Sequence, residues 1–273
     1  MSAFVTLQKI LPKHFISRAA GRLAASESWV RGPLIRTFAR AYGVDMTQAE
    51  RPDLAEYHSF NDFFTRSLTP GARPIDATPG AIVSPADGEV SQTGRIERGE
   101  LMQAKGIRYS FEALADVCAR PEFEGGPFAT IYLSPTDYHR VHLPLAGRLV
   151  RTVAIPGQLF SVNATTEAGV EGLFAVNERL VCEFETAHGP MLLVMVGALI
   201  VASIETVWGG PRSPYRERTV TEHDRAFATG DEIGRFLLGS SVVLAFARDQ
   251  AELKPSLAPG TVVRMGQAIG EAA

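Results

Sequence analysis

The chain has 273 residues, of which 45% are hydrophobic and 21% charged. That is the composition of a globular protein with a sizeable core, and it excludes disorder as a global property. The net charge of −3 carries no nucleic-acid signal, and no nucleic-acid partner is expected. The charge is uneven, however. Residues 1–45 hold seven Lys/Arg against two acids, a local +5, while the remainder holds 20 basic against 28 acidic residues, or −8. A basic arm on an acidic body signals a partner for the arm. The longest apolar run, Met191 to Ile204, is too short to span a bilayer and contains Gly197, so it predicts buried strand. Cys118 and Cys182 lack metal-like spacing and read as free thiols of a reducing compartment. Residues 1–27 show no signal-peptide pattern.

The arm comes first. Leu7, Leu11 and Phe15 recur at i+4 with a break at Pro12; Leu23 and Val30 follow; Pro33 then precedes Leu34, Ile35, Phe38 and Tyr42 at helical spacing. Arg18, Arg22, Arg31, Arg36 and Arg40 interleave with them. Two readings fit. One is a helical arm, residues 1–45, lying on an anionic membrane surface. The other is amphipathic helices packed on their own domain. Residues 59–68 predict one more short helix, capped by Ser59 or Asn61, with Phe60, Phe63 and Phe64 inward.

After Pro70 the pattern changes to short β-branched segments separated by Gly, Pro and Asn turns. Strands are expected at 81–84, 88–96, 128–133, 147–153, 180–185, 191–200, 217–220, 241–247 and 261–266, and one helical stretch at 111–118. The fold class is therefore α+β: N-terminal helices on a mostly antiparallel β barrel or sandwich, with residues 46–273 as the main domain, the one that carries the candidate site residues below.

Two histidines lie three apart in Ser134-Pro135-Thr136-Asp137-Tyr138-His139-Arg140-Val141-His142. On a strand that spacing points them to opposite faces. Ser134, Pro135 and Asp137 instead have the order of a capping box, and one helical turn there would bring His139 and His142 to a common side. A metal site is not expected, because no third ligand is near. Ser84-Pro85-Ala86-Asp87-Gly88 is a tight-turn sequence that makes Asp87 a candidate orienting acid.

Leu238-Gly239-Ser240-Ser241 runs directly into Val242-Val243-Leu244-Ala245-Phe246. An isolated Leu-Gly-Ser in apolar sequence is ordinarily a glycine-kinked strand. It also suits a chain that cuts itself. Glycine offers an unhindered carbonyl and a permissive backbone. Attack by Ser240 would turn the amide into an ester, and elimination followed by hydrolysis would leave a pyruvoyl group. Such a serine needs a base, and the order Asp87, His142, Ser240 can make a triad.

Eight ordered blocks decide between these readings. They are Ser59–Arg66, Pro70–Ile75, Ser84–Gly88, Tyr138–His142, Pro156–Asn163, Asn177–Arg179, Ser203–Trp208 and the Leu-Gly-Ser-Ser, and together they span about residues 57 to 246. On these the chain resembles the bacterial-type phosphatidylserine decarboxylases. It departs from the usual family pattern in having Ser241, not Thr, after the cleavage serine. The resemblance implies self-cleavage between Gly239 and Ser240 into a large and a small chain, with Asp87, His142 and Ser240 serving the cut and Ser240 becoming the pyruvoyl cofactor. It implies decarboxylation of phosphatidylserine to phosphatidylethanolamine through a Schiff base, with His139 acting on the substrate carboxylate or proton during turnover. Phe160 and Val162 are expected to contact substrate, and Asn177 to support the headgroup. Anionic membrane lipids are the expected partners, at the cytoplasmic side of the cell membrane. The assembly stays open, with a homodimer of self-cleaved protomers as one possibility. Two other functions compete: a serine hydrolase with an Asp87/His142/Ser240 triad, which lacks a Gly-x-Ser-x-Gly elbow, and a non-enzymatic carrier module. Only self-processing predicts two fragments on a denaturing gel.

Overall fold

The computed structural model describes residues 6, 8, 11–199, 204–211, 214–237 and 240–273. Two amphipathic helices come first. α1 (Lys13–Ala24) starts directly after Pro12. α2 (Arg31–Tyr42) ends at Gly43, which takes φ 63° and donates its N–H to the Ala39 carbonyl. α3 (Phe60–Phe64) follows, and of the two cap candidates it uses Ser59, whose hydroxyl accepts from the Asp62 N–H.

The apolar stripe of α2 turns inward. Ile35 is buried, and the Phe38 ring lies 5.0, 6.2 and 5.9 Å from those of Phe60, Phe63 and Phe64. With Ala24 and Tyr57 they form a small core of their own, edged by Leu34. Ile35 is thus closed off in this core, where burial removes its apolar surface from water, while Leu34 and Phe38 are partly buried against it. The expected Leu7 lies outside the described residues. Left exposed on this segment are Phe15 (69%), Leu23 (50%), Trp29 (83%) between the helices, and Tyr42 (52%).

Strands then dominate. The chain lays down β1 (Ala81–Val83), β2 (Gly88–Arg95), the hairpin β3 (Glu100–Met102) and β4 (Arg108–Ser110), then α4 (Phe111–Ala115), β5 (Pro127–Leu133), β6 (Arg140–His142) and β7 (Gly147–Ile155). Short helices α5 (Ala164–Glu167) and α6 (Leu173–Val176) precede β8 (Arg179–Thr186), β9 (Gly189–Val196), β10 (Ile204–Thr206) and β11 (Thr219–Phe227). β12 (Glu232–Phe236), β13 (Ser240–Phe246), β14 (Ala251–Leu253), β15 (Val262–Val263) and β16 (Ala268–Ala272) complete it.

The principal sheet is antiparallel throughout, in the order β11-β7-β8-β9-β13-β5-β2-β15. β13 is buried at every residue because both faces of the sheet are covered. Val242, Leu244 and Phe246 pack against Val141, Ile233, Phe236 and Ile269, contributed by the two small sheets β10-β12-β6 and β1-β16-β14. Val243 and Ala245 face the opposite core, with Phe111, Leu114, Phe123 and Phe128. The result is an α+β sandwich. Among the described residues β11 and β15 remain edges, so the sheet does not close into a barrel.

Most expected strands are present. Residues 261–266 supply only the two of β15, because Gly266 turns the chain at φ 87°. The final strand is instead β16, which joins β1 to β14.

Candidate active site

Asp87 and His142 come together through main chain rather than side chain. The His142 N–H donates to the Pro85 carbonyl at 2.8 Å, within the turn that carries Asp87. Gly88 is required there, since a Cβ at that position would lie 2.3 Å from the Tyr132 carbonyl oxygen. The Asp87 carboxylate, however, is occupied. Arg73 Nε donates to both its oxygens, at 2.8 and 3.0 Å, Arg73 Nη2 donates as well, and the Met265 N–H adds a bond of 2.9 Å. The expected direct Asp87–imidazole bond is therefore replaced. His142 Nδ1 donates to the Gly230 carbonyl at 2.8 Å, which fixes the tautomer and leaves Nε2 as the basic nitrogen, 3.1 Å from the Tyr138 hydroxyl. Burial lowers the His142 pKa, and the Asp87 charge is a smaller opposing influence.

His139 does not share a side with His142. Residues 134–139 form a turn, not a helix, although Asp137 does reach back to the Ser134 N–H at 2.6 Å. β6 begins at the next residue, so the spacing of three separates the rings. His139 is fully buried, 4.0 Å from the Phe64 ring. Its Nδ1 donates to the Asp137 carbonyl at 2.8 Å. Its Nε2 is buried with no hydrogen-bond partner among the described residues. Burial, helped by the Arg66 charge and opposed by the Asp137 bond, pushes its pKa down to about 3. The imidazole is neutral at physiological pH, with an Nε2 lone pair that accepts no hydrogen bond among the described residues.

Ser240 opens β13, fully buried, and its hydroxyl also lacks a partner among the described residues. The neighbouring Ser241 differs in its backbone: it pairs with Tyr132 on one side and Val196 on the other, whereas the register for Ser240 gives only Leu133. One flank of Ser240 is thus outside the ladder. Gly239 lies outside the described residues. Just before it, the Phe236 N–H donates to the His139 carbonyl at 2.9 Å. Of the described residues on either side, Phe236 is thus tied to His139 and Ser240 to the end of β5.

The loop of Pro156–Asn163 is held from below. A Cβ on Gly157 would sit 2.5 Å from the Asn177 carbonyl carbon, so glycine permits the approach. Phe160 and Val162 are buried and pack with Val170, Leu173 and Ala198. The Lys13 ammonium lies 3.4 Å from the Phe160 ring centroid, and Gln8 accepts from the Ser161 N–H at 2.8 Å. Val162 lines a cavity of about 370 Å³ together with Leu23, Leu34, Phe38, Phe64 and Tyr132; Phe160 does not line it. Asn177 has a structural task rather than a headgroup one. Its side chain accepts from the Phe160 N–H (3.0 Å) and donates to the Phe160 and Gly197 carbonyls (2.9 Å each). Arg179 likewise donates to the carbonyls of Ala113, Leu114, Ala175 and Asn177, closing the ends of α4 and α6. Glu178 accepts from the Tyr215 N–H at 2.6 Å, and Glu205 is exposed.

Asn177→Ala should therefore cost on the order of 3 kcal/mol of stability, since it orphans the buried Phe160 N–H and Gly197 carbonyl at roughly 1–3 kcal/mol each. Urea denaturation of the variant measures it. Full stability combined with a raised KM would restore the headgroup assignment.

Tyr138, Gly230 and Arg73 are parts of this site that sequence reasoning did not assign. Tyr138 and Arg73 sit inside motif blocks already singled out. Gly230 contributes only a carbonyl, which no side-chain pattern reveals.

Comparison with known proteins gives a consistent identification. A family model described as phosphatidylserine decarboxylase matches residues 60–271, and a second, described as PSD, matches residues 3–43. The chain is 52% identical over 279 residues to the phosphatidylserine decarboxylase proenzyme of Azotobacter vinelandii, covering 98% of each. It is 51% identical over 277 residues to that of Pseudomonas fluorescens, covering 98% of this chain and 96% of the relative. It is 49% identical over 280 residues to that of Stutzerimonas stutzeri, covering 99% and 94%.

Proposed function

The chain belongs to the phosphatidylserine decarboxylase family, and on that footing we propose that it cuts itself between Gly239 and Ser240 and then decarboxylates phosphatidylserine to phosphatidylethanolamine. The observation that carries this reading is the Ser240 hydroxyl, buried and unpartnered among the described residues at a strand end whose second flank is unpaired. A hydroxyl held in that way is costly for a structure alone. The relatives' designation as proenzymes points the same way.

In the cut, Ser240 Oγ adds to the Gly239 carbonyl carbon. The Gly239–Ser240 C–N bond breaks, the nitrogen takes the proton, and an ester replaces the amide. Loss of the Ser240 Cα proton expels the Gly239 carboxylate and leaves dehydroalanine. Water then releases the nitrogen as ammonia, and a pyruvoyl group heads the fragment 240–273. His142 Nε2 is the base, its tautomer set by Gly230. Asp87 acts as a positioning residue: with Arg73 and Met265 it anchors the turn that holds the His142 main chain.

In turnover the pyruvoyl group supplies an electron sink for the electrons left when CO2 departs. His139 presents a neutral imidazole whose Nε2 is unfilled. An anionic headgroup arriving beside it raises its proton affinity, so it can take up and return the proton that replaces CO2. The mass of the small fragment under denaturing conditions tests the reading. It should begin at residue 240 and carry a blocked, pyruvoyl N-terminus; a free N-terminal serine would sink it.

The substrate's chains suit the apolar cavity between the N-terminal helices, Tyr132 and the loop of Val162. Among the described residues no helix is long and apolar enough to cross a membrane. Peripheral docking at the cytoplasmic face fits this arm, through exposed Phe15, Leu23 and Trp29 and the exposed Arg18 and Arg22 of α1 and Arg36 and Arg40 of α2. Each basic residue near an anionic surface contributes about 1 kcal/mol. The triple variant Phe15→Ser, Leu23→Ser, Trp29→Ser should lose flotation with anionic liposomes while still cutting itself. Undiminished flotation would place the membrane contact on another surface.

A further inference from the structure

Arg66 carries a buried positive charge that the chemistry above does not use. It follows α3 and is only 4% exposed. Its Nη2 donates to the Thr136 carbonyl at 3.1 Å, while its Nε is buried without a hydrogen-bond partner among the described residues. A guanidinium has five N–H donors. Nearby arginines are matched to carboxylates: Arg51 to Asp62, Arg73 to Asp87 and Arg140 to Glu232. Among the described residues no carboxylate pairs with Arg66. The acids whose charge reaches it are already engaged. Asp87 is held by Arg73, Asp137 accepts from the Ser134 N–H, and Asp45 accepts from the Thr47 N–H and hydroxyl.

Its guanidinium does lie over the Phe63 ring, 5.6 Å from the centroid, but a buried cation without a counter-charge is expensive unless something neutralises it. Arg66 lines a polar cavity of about 410 Å³ with Gln48, Thr136 and Arg264, and with the engaged Asp45, Asp87 and Asp137. Tyr42 borders both this cavity and the apolar one. The turn before β6 separates them, with Pro135 on the apolar side and Thr136 to Tyr138 on the polar side. That juxtaposition fits one amphipathic molecule, with chains on one side and a charged headgroup on the other. His139 follows on the same turn and feels the Arg66 charge.

We propose that Arg66 binds a headgroup oxyanion of the substrate, phosphodiester or carboxylate, and seats it beside His139. This rests on the decarboxylase reading above. A guanidinium suits the task because it offers paired donors to either oxyanion.

The test uses Arg66→Gln and Arg66→Lys in the full-length protein, assayed on a soluble short-chain phosphatidylserine. Both should still appear as two fragments on a denaturing gel. KM should rise roughly 30-fold or more for Arg66→Gln, as expected for removing a charged partner from a buried ion pair, and by less for Arg66→Lys, with kcat affected less than KM. Inhibition by a short-chain phosphatidylethanolamine, which keeps the phosphate but lacks the carboxylate, identifies the oxyanion. A parallel rise in its inhibition constant assigns the phosphodiester; an unchanged constant assigns the carboxylate. A cut Arg66→Gln enzyme with wild-type KM overturns the proposal. Should Arg66→Gln fail to fold, an unchanged KM in Arg66→Lys overturns it equally. An uncut or inactive wild-type enzyme would instead refute the decarboxylase reading itself.

Discussion

Ser240→Ala should run as one uncut band on a denaturing gel, release no CO2 from phosphatidylserine, and remain at least as stable as the wild-type precursor. The three outcomes have separate causes. Without Oγ there is no nucleophile for the Gly239 carbonyl, hence no ester and no pyruvoyl group. Without that group nothing in the site accepts the electrons left by CO2. Stability should hold because the Ser240 hydroxyl makes no hydrogen bond among the described residues, so its removal breaks none and relieves a buried polar atom. Ser241→Ala removes another partnerless hydroxyl but should still cut, since Ser241 is locked in the ladder on both flanks. Two fragments from Ser240→Ala, or one from Ser241→Ala, would move the nucleophile to Ser241.

The two histidines should separate into two phenotypes. His142→Ala should slow self-cleavage by about 10²- to 10⁴-fold, the usual worth of a general base. Asp87→Ala should slow it as well, and should also destabilise the fold by roughly 3–5 kcal/mol, because it strands the Arg73 charge with which Asp87 is paired while both are largely buried. His139→Ala should cut, yet turn over about 10²- to 10⁴-fold more slowly. Densitometry of the two fragments reads the first step, and CO2 release by the cut fraction reads the second. Normal cutting with full decarboxylation in His139→Ala would dismiss its assigned role. Failure of His139→Ala to cut would make His139 the base for Ser240, a role its unfilled Nε2 could also serve.

The sequence made the large strands legible because they are long and β-branched. Residues 88–96, 128–133 and 180–185 were each expected within a few residues of where β2, β5 and β8 lie. Strands β6, β10, β14 and β16 have three to five residues, too few to show a period. The histidine spacing misled for a related reason: Ser134 and Asp137 make the local bonds of a cap, but β6 pairs with β12 and pulls His142 into a strand. Long-range pairing overrode a local signal. Asp87 was found as a site residue while its partners were not, because Arg73 and Met265 reach it from distant parts of the chain. The arm's helices were legible, but their facing was not. That depended on Phe60, Phe63 and Phe64 being fixed within reach of Phe38.

β13 is a middle strand of the principal sheet, and the proposed cut falls at its first residue. Its neighbours β9 and β5 both precede the cut, and β15 and β16 carry the same fragment into two further pairings, with β2 and β1. Cleavage would leave every one of these ladders intact while turning an intramolecular fold into a complex of two chains. The tether would vanish only from the unfolded state, where the pieces diffuse apart, so reassembly would become a dilution-sensitive encounter. Such a molecule has a history: it would fold once as a single chain, and because Ser240 reaches its buried setting only in the finished sheet, completion of folding would itself license the cut. Thereafter persistence would rest on slow unfolding rather than on the ability to fold again.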